Sequence, residues 1–321
     1  MKVYIPEQEQ DSMENKLTLI TTVRNEEHSI EYYIQSILFQ TRPPDEIIVV
    51  DGGSKDQTVP KIQEYIKNGA PIKLIIDENA NIAKGRNIAI SNASHCIILS
   101  TDAGCKLSND WVENISKPFF EQDADVVAGF YKASPENFFE KCVSEFTLPT
   151  VQEFNMFQPS SRSIAFTKQA WEKVGGYPEW LYTAEDTLFN IKLKEAGCKF
   201  VFAKDAVVYW RPRRNFKELF KQYFLYAKGD SQAKLFSEHY LEKIRKYTIA
   251  ILNIIIALKN SLGWILFFFL IYSYWKPRIN RVYQKMNDRR VLFLIPLIII
   301  VMDIAKITGF IAGKLTSKEK N

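Results

Sequence analysis

Charge of one sign is in short supply in this chain. Its 42 Lys and Arg stand against 37 Asp and Glu, a formal net charge of +5 over 321 residues. So mild an excess argues weakly for anionic partners and does not describe a nucleic-acid binder. Cys-x-x-Cys pairs are missing too. The four cysteines, at 96, 105, 142 and 198, are scattered, which suits reduced thiols in a cytosolic body better than a disulfide framework. The opening stretch MKVYIPEQEQDSMENK has no apolar core, so no secretory signal is expected and residues 1–15 read as a polar tail. Two nucleotide-binding patterns are also lacking. A dinucleotide fold needs Gly-x-Gly-x-x-Gly after its first strand, and TTVRNEEHS holds no glycine there. A P-loop needs Gly-x4-Gly-Lys-Ser/Thr, and DGGSKDQT does not have the spacing.

What is present describes a globular protein of one large domain or two ordinary ones, 46% hydrophobic and 13% aromatic. Up to about residue 245, strand-like and helix-like runs alternate. KLTLITTV (16–23), EIIVVD, PIKLII and HCIILSTD read as strands. SIEYYIQSILFQ (29–40), DQTVPKIQEYIKNG and NIAKGRNIAISNA read as helices. The strands are apolar throughout instead of every second residue, which predicts a mainly parallel sheet covered on both faces. Such sheets bind ligands at the carboxyl ends of their strands. Asp51 and Asp102 each end an apolar strand and are expected on one edge, near the RNEE loop. At a single position an aspartate before glycine is explained by a turn. Several polar strand ends on one edge favour a binding cleft.

LTLITTVRNEEHSIEYYIQSILFQTRPPDEIIVVDGGSKDQT resembles the amino-terminal half of family 2 glycosyltransferases with the GT-A fold. NIAKGRNIAI, ILSTDAG and TAEDTLFNIKLKEAG follow in that family's order, and the resemblance covers about residues 17–230. It implies a nucleotide-sugar donor held by Thr22, Arg24, Glu26 and Asp51, with Asp51 accepting hydrogen bonds from the base. Many relatives have proline where this chain has Thr22. The resemblance also implies that Arg86 is aimed at the donor phosphates, although an arginine at a helix start is equally well a surface residue. Asp102, in STDAG, matches the first acid of the family's Asp-x-Asp metal site, but Ala103 and Gly104 follow, so the second carboxylate is missing. One aspartate plus diphosphate oxygens is compatible with Mg²⁺ or Mn²⁺, which prefer oxygen ligands. Asp186 stands where the family places its general base, and Glu185 is the neighbour that pairs or caps instead. SSRSIAFTKQAWEKVGGYPE (160–179) resembles the acceptor-side segment, and its Gly175-Gly176 reads equally as a plain turn.

Further on, Phe216, Leu219, Phe220, Tyr223, Phe224 and Ala227 form one helical stripe, flanked by Lys217, Lys221 and Lys228. Such a stripe fits a membrane interface and, more commonly, core packing. RPRR with Gln222 resembles a segment of membrane-associated family members, where Gln222 with Arg213 or Arg214 would help to close over the diphosphate or acceptor. The run 247–275 would be roughly 43 Å long as one helix, against a hydrocarbon core of roughly 30 Å. Lys259-Asn260-Ser261 falls at its middle, where a charge is expensive, so the run either tilts strongly or breaks there. Basic segments flank it on both sides, which under the positive-inside rule suits a hairpin better than a single crossing. The run 291–313 is long enough to span, with Asp303 and Lys306 inside it.

The expected organisation is a GT-A domain over 16–235 (nucleotide half 16–105, acceptor half 106–235) and an amphipathic, membrane-embedded region over 236–321. The expected activity is inverting transfer from a nucleotide sugar to a lipid-linked or envelope-polysaccharide acceptor. It would take place at the cytosolic face of the cytoplasmic membrane, in contact with membrane lipid and with no nucleic acid. Two rivals stay open here: a GT-A-like scaffold that has lost catalysis, and another nucleotide-using enzyme such as a nucleotidyltransferase. A processive synthase is less compatible, since the chain has no clear Gln-x-x-Arg-Trp.

Overall fold

The structure, a computed structural model, describes residues 15–148, 159–260 and 262–316. The expected N-terminal tail, except residue 15, and Ser261 lie outside the described residues. The chain divides into two compact units, Met1–Ser134 with Pro149–Trp210, and Pro135–Leu148 with Arg211–Asn321.

In the first unit, every residue of Ile47–Val50 is buried within β2 (Glu46–Asp51). Successive side chains of a strand point to opposite faces, so a strand of this composition has to be covered twice. Ile47 and Val49 pack with Leu17, Leu19 and Val23 of β1 (Leu17–Val23) beneath α1 (Ile30–Leu38). Ile48 and Val50 pack on the other face with Ile20 and with Ala83, Ala89 and Ile90 of α3 (Ile82–Ser91). The unit is completed by α2 (Thr58–Lys67), β3 (Ile72–Ile76), β4 (Ile97–Ser100), β5 (Cys105–Leu107), α4 (Trp111–Glu121), β6 (Val126–Ala133), β7 (Ile164–Thr167), α6 (Lys168–Lys173), α7 (Glu185–Glu195) and β8 (Phe200–Trp210).

The strand order is β3-β2-β1-β4-β7-β6-β8-β5. The first four strands are parallel to one another. β7 runs antiparallel to both β4 and β6, and β5 antiparallel to β8, whereas β6 and β8 are parallel. The sheet is therefore mixed where a mainly parallel one was expected. Helical crossovers force parallel pairing, and their regular alternation stops after β4. Order reverses at β1: the chain moves outward through β2 and β3, then returns to place β4 on the other side of β1. At such a switch point a crevice opens beyond the carboxyl ends of the strands.

The second unit holds α5 (Phe138–Thr147), α8 (Phe216–Gln232), α9 (Ser237–Lys259), α10 (Leu262–Met286) and α11 (Val291–Thr316). The stripe of α8 is core packing. Leu219 joins Val291, Ile295 and Ile299 of α11 in one cluster, and a Cβ on Gly309 would lie 2.2 Å from the Phe224 carbonyl oxygen. Run 247–275 is broken at the expected place: α9 ends at Lys259, and Asn260 is extended at φ −142° and ψ 118°. Among the described residues α11 alone is long and apolar enough to cross a membrane, and 39% of its most apolar stretch is buried within the protein.

Candidate active site

The loops that follow β1 and β2 are tied together by their own polar groups. Asp51, buried at the end of β2, accepts the amides of Gly53 and Ser54 at 2.9 Å through Oδ1, and the Ser54 hydroxyl through Oδ2. Ser54 Oγ in turn accepts the amide of Asn25 at 2.9 Å, and Asn25 Oδ1 accepts the amide of Lys55 at 2.9 Å. The Glu26 amide donates to Thr58 Oγ1 at 2.7 Å. Glu26 also opens the turn that leads into α1, since its carbonyl accepts from the amides of Ser29 and Ile30. The glycine pair serves this loop. Gly53 has φ +84°, and a Cβ on Gly52 would lie 2.8 Å from the Ala80 carbonyl oxygen. Thr22 and Val23 end β1 between the two acids, with Val23 opposite Asp51 in the ladder. Thr22 Cγ2 lies against Gly85 of α3, and Arg24 is exposed just beyond. Asp51 and Asp102 thus share one rim, separated by the width of β1, roughly 10 Å at about 4.8 Å per strand.

Arg86 joins that rim to the later part of the unit. Only 4% exposed, it is no surface residue. Its Nη2 donates to Asp102 Oδ1 at 2.9 Å and its Nη1 to Glu185 Oε1 at 2.7 Å, and its guanidinium lies 5.3 Å from the centre of the Tyr177 ring. Burial works against the charge of Arg86, but the carboxylates of Asp102 and Glu185 outweigh it and raise its pKa further. A planar fork can satisfy two carboxylates at once, which an ammonium cannot do in the same geometry. Glu185 is buried at the start of α7. Burial first, then the neighbouring Asp186 charge, push its carboxyl up to about 7 against the pull of Arg86. Asp186 follows at once, half-buried. Its Oδ1 accepts the Thr187 amide at 2.7 Å, and its Oδ2 only a long 3.4 Å contact from the Ser161 amide. Preceding both acids, Ala184 has φ +66°, a left-handed backbone that a non-glycine residue adopts at a cost.

Sequence reasoning missed the residues that hold this corner together. Asn87 donates to the Tyr177 carbonyl and accepts from the Tyr177 amide and from Trp171 Nε1, at 2.9 to 3.0 Å. It thereby ties the Gly175-Gly176 turn to α3. Tyr177 shares a 3.2 Å hydrogen bond with Ser161. The adjacency Arg86-Asn87 was the one signal that α3 reaches forward to this segment. Gln222 is buried and donates to the Tyr226 hydroxyl at 2.9 Å, in the second unit with Arg213 and Arg214.

No group of three His, Cys, Asp or Glu that could hold a metal occurs among the described residues. Asp102 is the most open acid at the clamp, with its side chain 37% exposed and Arg86 engaging Oδ1 only. One open carboxylate oxygen meets the modest demand of a cation that keeps waters and takes diphosphate oxygens. Charge points the same way. Asp102, Glu185 and Asp186 surround one arginine, so an incoming diphosphate meets a surplus of negative charge unless a cation accompanies it.

Residues 18–173 match the model of Glycosyl transferase family 2. That segment is a family 2 glycosyltransferase domain. Glycosyltransferase AglE of Haloferax volcanii is 26% identical to it over 248 residues, 71% of this chain and 77% of that one. The O-antigen chain rhamnosyltransferase RfbN of Salmonella typhimurium is 28% identical over 229 residues, 65% of this chain and 70% of that one. Among solved structures, the mannosyltransferase PcManGT from Pyrobaculum calidifontis, in complex with GDP-Man and Mn²⁺, gives a TM-score of 0.58 at 17% identity, covering 95% of this chain and 88% of that one. S. aureus TarS 1–349 in complex with UDP-GlcNAc gives 0.53 at 18% identity, covering 94% and 91%. At such identities the likeness is one of fold, the GT-A fold. The chain is thus an enzyme that transfers a sugar from a nucleotide-sugar donor.

Proposed function

We propose that this glycosyltransferase inverts the anomeric carbon it attacks, using Asp186 as general base. The acceptor is lipid-linked or a growing envelope polysaccharide, met at the cytosolic face of the cytoplasmic membrane. The observation that supports the reading is the Arg86 clamp: through Asp102 and Glu185 it brings the end of β4 and the start of α7 to one rim, with Asp186 beside it.

Thr22, Arg24, Glu26 and Asp51 receive the nucleoside in this reading. Three of the roughly four lone-pair positions of the Asp51 carboxylate are occupied within its loop, which leaves an acceptor of fixed direction for a base N–H or a ribose hydroxyl. Asp102 would hold a Mg²⁺ or Mn²⁺ ion, which when bound offsets the charge of the departing diphosphate. Asp186 Oδ2 takes the proton of the acceptor hydroxyl as that oxygen bonds to the anomeric carbon. The opposite bond, from carbon to diphosphate oxygen, breaks, and its electron pair leaves with the nucleoside diphosphate. Glu185 keeps Arg86 in place and does not itself touch the reacting atoms.

Asp186→Asn tests the assignment. A positioned base contributes about 10²–10⁴-fold, so transfer is expected to fall by that factor while donor still raises the melting temperature by mass action. Full activity in this variant, or a product with the donor's anomeric configuration, would refute the assignment. Chelation of divalent metal is expected to stop transfer by the wild type, and unchanged turnover in chelator would exclude the metal.

A further inference from the structure

The second unit contains a cavity of about 270 Å³ whose lining is basic. Asp303 of α11 is buried there and fully engaged. It accepts Lys243 Nζ at 2.7 Å, the Tyr247 hydroxyl at 3.1 Å and the Tyr274 hydroxyl at 2.7 Å. That pairing consumes Lys243 but leaves two further cations on the cavity wall. Arg278 stacks 4.0 Å from the centre of the Tyr274 ring, and Lys306 Nζ lies 4.9 Å over the Tyr223 ring. Among the described residues neither of the two forms an ion pair with a carboxylate. Two half-buried cations that repel each other across a cavity call for an anion, and phosphate accepts from both an arginine fork and an ammonium.

The surroundings of the cavity say which anion. α9 and α10 form a helical hairpin that turns at Asn260. Its distal half exposes large apolar side chains on both arms, among them Leu252 (52%), Leu258 (74%), Ile265 (68%) and Phe268 (62%). Tyr247 and Tyr274 lie roughly 20 Å from that turn at about 1.5 Å per residue, and Lys243 roughly 25 Å. The distance from bilayer midplane to headgroups is roughly 20–22 Å. A hairpin seated in one leaflet therefore brings the cavity to headgroup level, with Lys276 at a similar height. Lys259, at the turn, is expensive near the midplane and favours an oblique seating in which its ammonium snorkels.

We propose that the cavity walled by Lys243, Arg278 and Lys306 binds the phosphate of an anionic lipid whose chains lie along the exposed arms of the α9–α10 hairpin. The proposal rests on the membrane seating above and not on the chemistry of sugar transfer.

The test uses the full chain and dihexanoyl phosphatidic acid below its micelle concentration, so that no charged bilayer surface is present. Saturable binding is expected by calorimetry. Arg278→Gln with Lys306→Gln is expected to weaken it at least about tenfold, while Lys276→Gln with Arg289→Gln, the same charge change outside the cavity, stays within about twofold. Asp303→Asn removes a repelling charge and is expected to tighten binding, a gain that misfolding does not imitate. Inorganic phosphate is expected to bind at least about tenfold more weakly than the lipid, since it has no chains to bury. Equal losses in the two double variants, no saturable binding, or inorganic phosphate binding as tightly as the lipid would each overturn the proposal. Donor hydrolysis measured on the same samples reports separately on the sugar-transfer reading.

Discussion

Replacing Arg86 by Met keeps the length of the side chain and removes the charge that two carboxylates share. The Glu185 arm dominates the cost, because both partners are buried, at 4% and 8% side-chain exposure. The Asp102 arm, 37% exposed, is screened by water. Taking one partner from a buried pair costs about 3–5 kcal/mol, in line with about 4 kcal/mol for unit charges 4 Å apart at an effective dielectric of about 20. At about 2–4 °C per kcal/mol for a domain of this size, melting is expected to fall by about 6–20 °C. Glu185 has an escape route, since its carboxyl already titrates near 7 with Arg86 in place. Without the arginine it takes up a proton more readily still, so the loss is expected to be larger at pH 8 than at pH 6. Adding Glu185→Gln to Arg86→Met is then expected to restore part of the loss at pH 8. Hydrogen exchange of the β1, β2 and β4 amides is the assay of choice, because it reports on the first unit by itself. A single variant within about 0.5 kcal/mol of wild type, or a loss independent of pH, would refute the reasoning.

Two further outcomes follow from local geometry. Because the carboxyl of Glu185 is raised from 4.5 to about 7, the folded state holds that proton more tightly than the unfolded chain, and stability falls as pH rises through this window. Glu185→Gln is expected to flatten that slope, by up to about 1.4 kcal/mol per pH unit, and denaturation curves at pH 5, 6 and 7 that remain parallel to wild type would contradict it. Gly309→Val drives a side chain into the Phe224 carbonyl and is expected to cost at least about 1–3 kcal/mol, whereas Gly104→Ala, with nothing within 4 Å of a new Cβ, is expected to be near neutral in the same denaturation assay.

Legibility of the fold from sequence followed the physics of each element. β2 was readable because four consecutive buried aliphatics fit only a strand covered on both faces. The direction of β7 and β5 was not, because nothing local to a short strand says which way its partner runs. The break at Asn260 was visible in the charge of Lys259 amid an apolar run. That the α8 stripe meets α11 backbone to backbone was not visible, since an amphipathic helix looks the same whatever covers it.

The sequence by itself determined which strands end in acids and that these ends line one sheet edge, because chain alternation sets strand direction and period-two burial sets the faces. Only the tertiary structure decided how Arg86 is employed. Its two carboxylate partners lie 16 and 99 residues away along the chain, and whether a guanidinium meets water, phosphate or a carboxylate depends on what folding brings within 3 Å of it. The same holds for Lys306 and Arg278. Their charges are plain in the sequence, and their shared cavity is a product of packing.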